Sequence, residues 1–222
     1  MNGELVVVDD VAAAFCDLIL EHLAVEGSSR VIALSGGGTA RRCYEQLASR
    51  TDPTLWSSVD VVWGDERCVP LDDPDSNHAL AAEALGESLA AARSVHPMRC
   101  DRGAAAYAGI LDSLGGPGII HLGLGPDGHT ASLFPGAESL RATEDVVLTA
   151  DPLGLNPHPR MSLTFPAIAR AELVIVTVEG AAKLDAMRRV LDGDPSAPAS
   201  LLSARRLVWL VDQAALGRSS PR

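Results

Sequence analysis

Lysine is nearly absent from this 222-residue chain: of its 18 basic residues all but Lys183 are arginine. Positive charge as a whole is scarce, with 29 acidic residues against those 18 and a formal net charge of −11. A nucleic-acid partner asks for a basic face to meet the phosphate backbone, so that class of function is excluded. Long apolar runs are missing too. The best of them, 173–178, is strand-sized and far short of the ~18 residues that a membrane helix requires. The opening Met1-Asn-Gly-Glu-Leu5 carries acid where a secretory leader carries base, so no signal peptide and a cytoplasmic location are expected. No Cys-x-x-Cys pair occurs. Cys16, Cys43, Cys68 and Cys100 lie far apart, which argues against a zinc ribbon or a redox motif and for buried, reduced thiols.

What the chain does hold is apolar bulk, 47% of its residues, enough for a sizeable core. Short β-rich runs at 5–8, 31–34, 59–63, 119–122, 146–149, 173–178 and 207–211 alternate with Ala-rich stretches. Those stretches predict helices over 10–26, 39–49, 76–92, 103–114, 180–191 and 198–203. Most of the runs lack a period of two and read as strands buried on both faces, as in a parallel sheet. Asp10 and Ser76 are placed to cap helix starts, and Gly27, Gly86 and Gly193 to end helices. The alternation predicts one α/β domain over 1–222: a doubly wound, mostly parallel sheet with helices on both faces. The Pro/Gly clusters carry no low-complexity sequence and read as loops.

Four segments carry candidate chemistry. In Val31-Ile-Ala-Leu-Ser-Gly-Gly-Gly-Thr-Ala40 a strand runs through a Gly-rich turn into a helix. Ser35, Gly36, Gly37 and Thr39 can there bring backbone N–H groups, hydroxyls and a helix dipole to a phosphate. The stretch is neither a dinucleotide fingerprint nor a Walker loop. Ala33-Leu-Ser35-Gly-Gly37 also resembles a relaxed nucleophile elbow, which leaves open a serine esterase acting through Ser35. In Val62-Trp-Gly-Asp-Glu-Arg67 a strand delivers Asp65, Glu66 and Arg67 at its carboxyl end, where ligands bind in open α/β sheets. Arg67 can clamp a phosphate, and Asp65 or Glu66 can orient it or meet sugar hydroxyls.

The third segment, 119–134, follows a buried strand with Gly123-Leu-Gly-Pro-Asp-Gly-His129. A histidine titrates near neutrality, so His129 suits proton transfer, with Asp127 able to hold its tautomer. The other five histidines, His121 included, read as core or surface residues. No second and third ligand stand at metal-binding spacing, so no metal is expected. The fourth segment pairs Arg160 with Lys183 at the head of the helix after the strongest strand. A cation there opposes the helix dipole, which an anionic ligand would offset.

Taken together, Ser35-Gly-Gly-Gly-Thr39, Trp63-Gly-Asp-Glu-Arg67 with Asp75-Ser-Asn77, the run 123–135, and Arg160-Met-Ser-Leu-Thr164 with Glu179-Gly-Ala-Ala-Lys183 resemble the 6-phosphogluconolactonase family across essentially the whole chain. Ala40 departs from the proline often found there, a convenience for helix starting rather than a chemical need. The resemblance implies a fold related to sugar-phosphate isomerases and glucosamine-6-phosphate deaminases. It implies hydrolysis of 6-phospho-D-glucono-1,5-lactone to 6-phosphogluconate in the pentose phosphate pathway, without a cofactor. His129 would be the general base and Asp127 its neighbour, with Arg67, Arg160, Lys183 and the 35–39 turn contacting phosphate and oxygens. The substrate is then a small phosphorylated lactone; neither nucleic acid nor membrane is a partner, and the oligomeric state is not legible. A deaminase of the related kind carries a glutamate five residues after its histidine, where this chain has Phe134. A non-catalytic phosphosugar-binding regulator would keep the turn and the cations without needing His129.

Overall fold

The computed structural model describes residues 1–218. Ten strands form: β1 Glu4–Val7, β2 Val31–Leu34, β3 Asp60–Trp63, β4 Asp65–Arg67, β5 Ser94–Val95, β6 Ile119–Gly123, β7 Val146–Thr149, β8 Arg160–Leu163, β9 Leu173–Val178 and β10 Arg206–Val211. The α-helices are α1 Val11–Ala24, α2 Gly38–Arg50, α3 Pro53–Trp56, α4 Asn77–Leu85, α5 Glu87–Ala90, α6 Ala104–Ser113, α7 Phe165–Ala169 and α8 Leu184–Leu191. Seven strands make an all-parallel sheet in the order β1-β10-β9-β6-β2-β3-β5. Strands β2, β3 and β9 are buried at every position, as their largely apolar runs predict, with Asp60 and Thr177 the polar members. One apolar core runs from Val11 to Ala215, with Phe15, Tyr44, Trp63 and Trp209 among its largest members.

From β2 the chain winds outward through β3 and β5; from β6 it winds the other way through β9 and β10. The order therefore reverses between β2 and β6, and the carboxyl ends of these two strands part to leave a crevice. Local signals place the helices that flank it. Asp10 caps α1 by accepting from Ala12 N and Ala13 N, both at 3.0 Å, and Ser76 caps α4 by accepting from Ala79 N at 3.2 Å. Gly86, at φ 51°, stops α4 and restarts the chain as the short α5, so the stretch expected as one helix over 76–92 is two. The stretch 180–191 likewise opens as a 3₁₀ turn, Ala181–Lys183, before α8, and 198–203 is a 3₁₀ turn, Pro198–Leu201.

Two further expectations are corrected. The run 146–149 does not join the parallel sheet. As β7 it pairs antiparallel with β8, which pairs antiparallel with β4, in a separate three-stranded sheet. Nor are all four cysteines reduced: Cys68 and Cys100 form a disulfide with Cα atoms 5.4 Å apart across 32 residues of sequence. Cys68 lies just beyond β4 and Cys100 beyond β5, so the tertiary fold brings together two positions that no local spacing announces. Cys16 and Cys43 are the buried free thiols, and burial pushes Cys16 up to about 11.

Candidate active site

A cleft of about 200 Å³ opens at the strand-order reversal, lined on one side by Ser35, Gly36 and Gly37 from the turn after β2. A Cβ on Gly36 would stand 1.7 Å from Asn77 Oδ1, so only glycine lets this turn lie against the first residue of α4. Gly37, at φ 96°, leads into α2 with no side chain capping the helix. The first N–H groups of α2 are left for an anion, aided by the dipole of a 13-residue helix. Beneath the turn, Tyr44 Oη accepts from Ser35 N at 2.7 Å and meets His121 Nδ1 at 2.9 Å, while His121 Nε2 meets Thr177 Oγ1 at 2.9 Å. This buried chain ties β2, β6 and β9 together at their carboxyl ends.

The second sheet forms the opposite wall. Register places Arg67 of β4 directly beside Arg160 of β8, and both line the cleft. Arg67 Nη1 donates to the Asp75 carbonyl at 2.7 Å and Arg160 Nε to the His158 carbonyl at 3.2 Å. Burial, and then the charge of Arg67, push Arg160 below the usual arginine range. Lys183 lines the cleft from the head of α8, and burial pulls it below the usual lysine range against the opposing pull of Asp127. Among the described residues none of these three cations pairs with a carboxylate within ion-pair distance. A locally cationic pocket on an acidic protein is thereby assembled from three distant segments.

His129 and Asp127 sit on the loop after β6. His129 Nδ1 and Asp127 Oδ1 are 2.5 Å apart, and the same oxygen accepts from His129 N at 3.1 Å. Burial opposes ionisation of Asp127, but the hydrogen bonds and charge of His129 outweigh it and hold the carboxyl below its usual range. The loop folds this tightly because Gly125 has no side chain: a Cβ there would stand 2.2 Å from His129 Nδ1. Phe134 packs against the imidazole at a tilt, with ring centroids 5.0 Å apart. Ala131, at φ 48°, is the one non-glycine in the left-handed region among the described residues, and it too lines the cleft. Backbone strain of this kind is held in place where surrounding structure over-determines it.

The cleft thus gathers Ser35, Gly36, Gly37, Asp65, Arg67, His129, Arg160 and Lys183, with Asp127 behind His129. Thr39 is not brought in: it lines an adjoining depression, and its hydroxyl donates to Glu179 Oε2 at 3.4 Å. Glu66 is also otherwise engaged. It accepts from Arg67 N, Asn77 N and His78 N, each at 2.7 Å, and from Ser76 Oγ at 3.0 Å, so it caps α4 instead of facing a ligand. Asp65 does face the cleft, held by Ser132 Oγ at 2.6 Å and by Asn77 Nδ2, which donates to its carbonyl at 2.8 Å. Asn77, Ser132 and Asn156 line the cleft without having been singled out. The first two stand inside the recognisable motifs, whereas Asn156 lies in a plain Pro/Gly loop that gives no signal. Among the described residues no group of His, Cys, Asp and Glu is gathered that could hold a metal ion.

Fold and cleft together define a doubly wound α/β protein with an anion-seeking, histidine-bearing crevice at its strand-order reversal. The family profile described as glucosamine-6-phosphate isomerases/6-phosphogluconolactonase matches residues 4–209, and the chain belongs to that family. It is 35% identical over 208 residues to a 6-phosphogluconolactonase of Mycobacterium leprae, covering 85% of this chain and 84% of that protein. A Nostoc 6-phosphogluconolactonase is 36% identical over 220 residues, covering 90% of each. The solved structure of 6-phosphogluconolactonase from Trypanosoma brucei superposes with a TM-score of 0.82 at 27% identity, covering 97% of this chain and 98% of that one. A monomeric glucosamine-6-phosphate deaminase shares the fold at a TM-score of 0.79 and 21% identity, covering 98% and 99% of the two chains.

Proposed function

We propose that this chain is a cytoplasmic 6-phosphogluconolactonase that hydrolyses 6-phospho-D-glucono-1,5-lactone with His129 as general base. The observation that carries the reading is the Asp127–His129 pair at the rim of a cleft whose other walls hold three cations with no carboxylate partner among the described residues. With Nδ1–H donated to Asp127, the lone pair of His129 lies on Nε2, the nitrogen left to take a proton from water. A lactone carbonyl is electrophilic enough for activated water, so no covalent nucleophile is needed. A positioned base contributes ~10²–10⁴-fold. The resulting imidazolium, stabilised by Asp127, returns its proton to the departing ring oxygen. Arg67, Arg160, Lys183 and the head of α2 bind the phosphate, and that binding energy sets the carbonyl against the water.

Two rivals fare worse. Deamination or isomerisation asks for a carboxylic relay beside the histidine, and Phe134 is buried there against the ring. A serine esterase asks for a base on Ser35; no hydrogen bond joins its hydroxyl to a histidine among the described residues, and His129 is committed to Asp127. The test is hydrolysis of freshly made lactone, above its spontaneous background, by wild type, His129→Ala and Ser35→Ala. His129→Ala is expected to lose most activity and Ser35→Ala to retain hydrolysis. Wild-type rates for His129→Ala, or ammonia release from glucosamine 6-phosphate, would overturn the assignment.

A further inference from the structure

Helix α8 touches the site at two places. Its head carries Lys183 into the cleft, and on its flank Arg189 reaches the loop that holds His129. Arg189 Nη1 donates to the Asp127 carbonyl at 2.8 Å. Its other nitrogens are engaged on the turn that follows the helix: Nε with Asp194 Oδ2 at 3.1 Å and Nη2 with Ser196 Oγ at 2.9 Å. Asp194 Oδ1 in turn accepts from Ser196 N at 2.9 Å and Ser196 Oγ at 2.6 Å, so the guanidinium has a fixed seat.

The loop it grips has a weak point. Residues 125–128 form a turn closed by Gly128 N donating to the Gly125 carbonyl at 3.0 Å, and Gly128 has φ +90°. A glycine at that position leaves the Asp127–Gly128 peptide free to rotate, because no Cβ resists it. Displacement of that peptide carries the Asp127 Cα with it, and so the carboxylate whose Oδ1 is the anchor for both the ring and the backbone of His129. Two contacts hold the peptide in one orientation. Its N–H, from Gly128, makes the turn-closing bond to the Gly125 carbonyl, and Arg189 takes its carbonyl, that of Asp127; Ala199 N donates to the Gly128 carbonyl of the next peptide at 3.0 Å. The fit is close: a Cβ on Gly128 would stand 2.6 Å from that of Ala197.

We infer that Arg189 is a positioning residue for catalysis, fixing the Asp127–Gly128 peptide so that Asp127 orients His129. It does not touch the cleft and acts through Asp127. The inference rests on His129 being the base, and the controls separate the two. A bare surface pair with Asp194 would contribute little either way, and it would not involve the Asp127 carbonyl.

The experiment compares wild type, Arg189→Met, Arg189→Lys and His129→Ala in lactone hydrolysis, with thermal unfolding and proton NMR of the downfield His129 Nδ1–H signal. Arg189→Met keeps the packing of the stem and removes the donors. Its kcat is expected to fall ~10- to 100-fold, part of what a positioned base contributes, with KM within about twofold. The downfield signal should broaden or vanish while the unfolding midpoint stays within about 2 °C. Arg189→Lys, which can still reach the carbonyl, should recover most of kcat. Wild-type kcat in Arg189→Met beside an inactive His129→Ala refutes the positioning role alone. So does a loss of activity that tracks lost stability with the histidine signal intact. An active His129→Ala removes the base on which both readings stand.

Discussion

Gly125→Ala puts a single methyl group beneath the Asp127–His129 pair. The new Cβ would stand 2.2 Å from both Cε1 and Nδ1 of His129 and 2.7 Å from Asp127 Oδ1, where ordinary contact begins near 3.4 Å. The imidazole, packed against Phe134 with ring centroids 5.0 Å apart, must therefore move by roughly 1 Å. A displacement of that size at a catalytic group costs about 10²-fold, or ~2.7 kcal/mol of transition-state stabilisation. The backbone itself accepts alanine, because Gly125 lies outside the left-handed region. Folding should thus survive while chemistry suffers. The cations proposed to hold the phosphate lie on other elements, so KM should stay within about threefold when kcat falls. A pH-stat assay on freshly generated lactone, corrected for spontaneous hydrolysis, measures both constants. A kcat within threefold of wild type would show that the pair does not need its present geometry, and the argument for His129 as an oriented base would fall with it.

Three other outcomes are expected. Burial holds the His121 imidazole down at about 3, so the native protein refuses a proton that the unfolded chain takes up near 6.5. Stability is full above that unfolded value and is lost as pH falls from about 6.5 toward 3, by up to ~1.4 kcal/mol per pH unit. Urea unfolding at pH 5 and pH 7 should show this slope and should show it flattened in His121→Gln; an unchanged slope in the variant refutes the source. Cys100→Ser opens a link spanning 32 residues and should cost roughly 3–4 kcal/mol in denaturant unfolding without reductant. The difference should disappear when dithiothreitol reduces the wild type. Lys183→Met should raise KM for the phosphorylated lactone ~10- to 100-fold, the loss of a charged hydrogen bond, with kcat little changed. An unaltered KM would remove Lys183 from the anchoring role.

The sheet was readable in the chain because parallel strands buried on both faces are mostly apolar: β2 is so throughout, and β3 and β9 are interrupted only by Asp60 and Thr177. The motif-bearing loops followed from the same logic, since strand ends are where an open α/β sheet binds ligands. The second sheet was not readable. Strand β4 is only Asp65-Glu-Arg67, with no apolar pattern, and β8 opens on an arginine, so their pairing is set by tertiary contact. The disulfide was not readable for a related reason: spacing rules see neighbours in sequence, and Cys68, beyond β4, meets Cys100, beyond β5, only through the tertiary fold. Glu66 and Thr39 show the reverse limit. Each stands in a motif that points at a ligand, yet four donors claim Glu66 and Glu179 claims Thr39. The lone lysine, singled out because a cation placed against a helix dipole asks for an explanation, does line the cleft.

The antiparallel pairing of β4 with β8 carries a consequence for how this protein can change. Arg67 and Arg160 meet because they are register partners, and in a strand one inserted residue turns every following side chain to the opposite face. An insertion inside β4 or β8 would therefore separate the two guanidiniums and turn one away from the cleft. The connection over 150–159 is under no such restriction, since its length does not alter the register on either side. Length variation among descendants of this chain is thus channelled into that loop, beside the cleft, where Asn156 sits. The part that grips charge is locked by counting, and the part that borders it is left open to diverge.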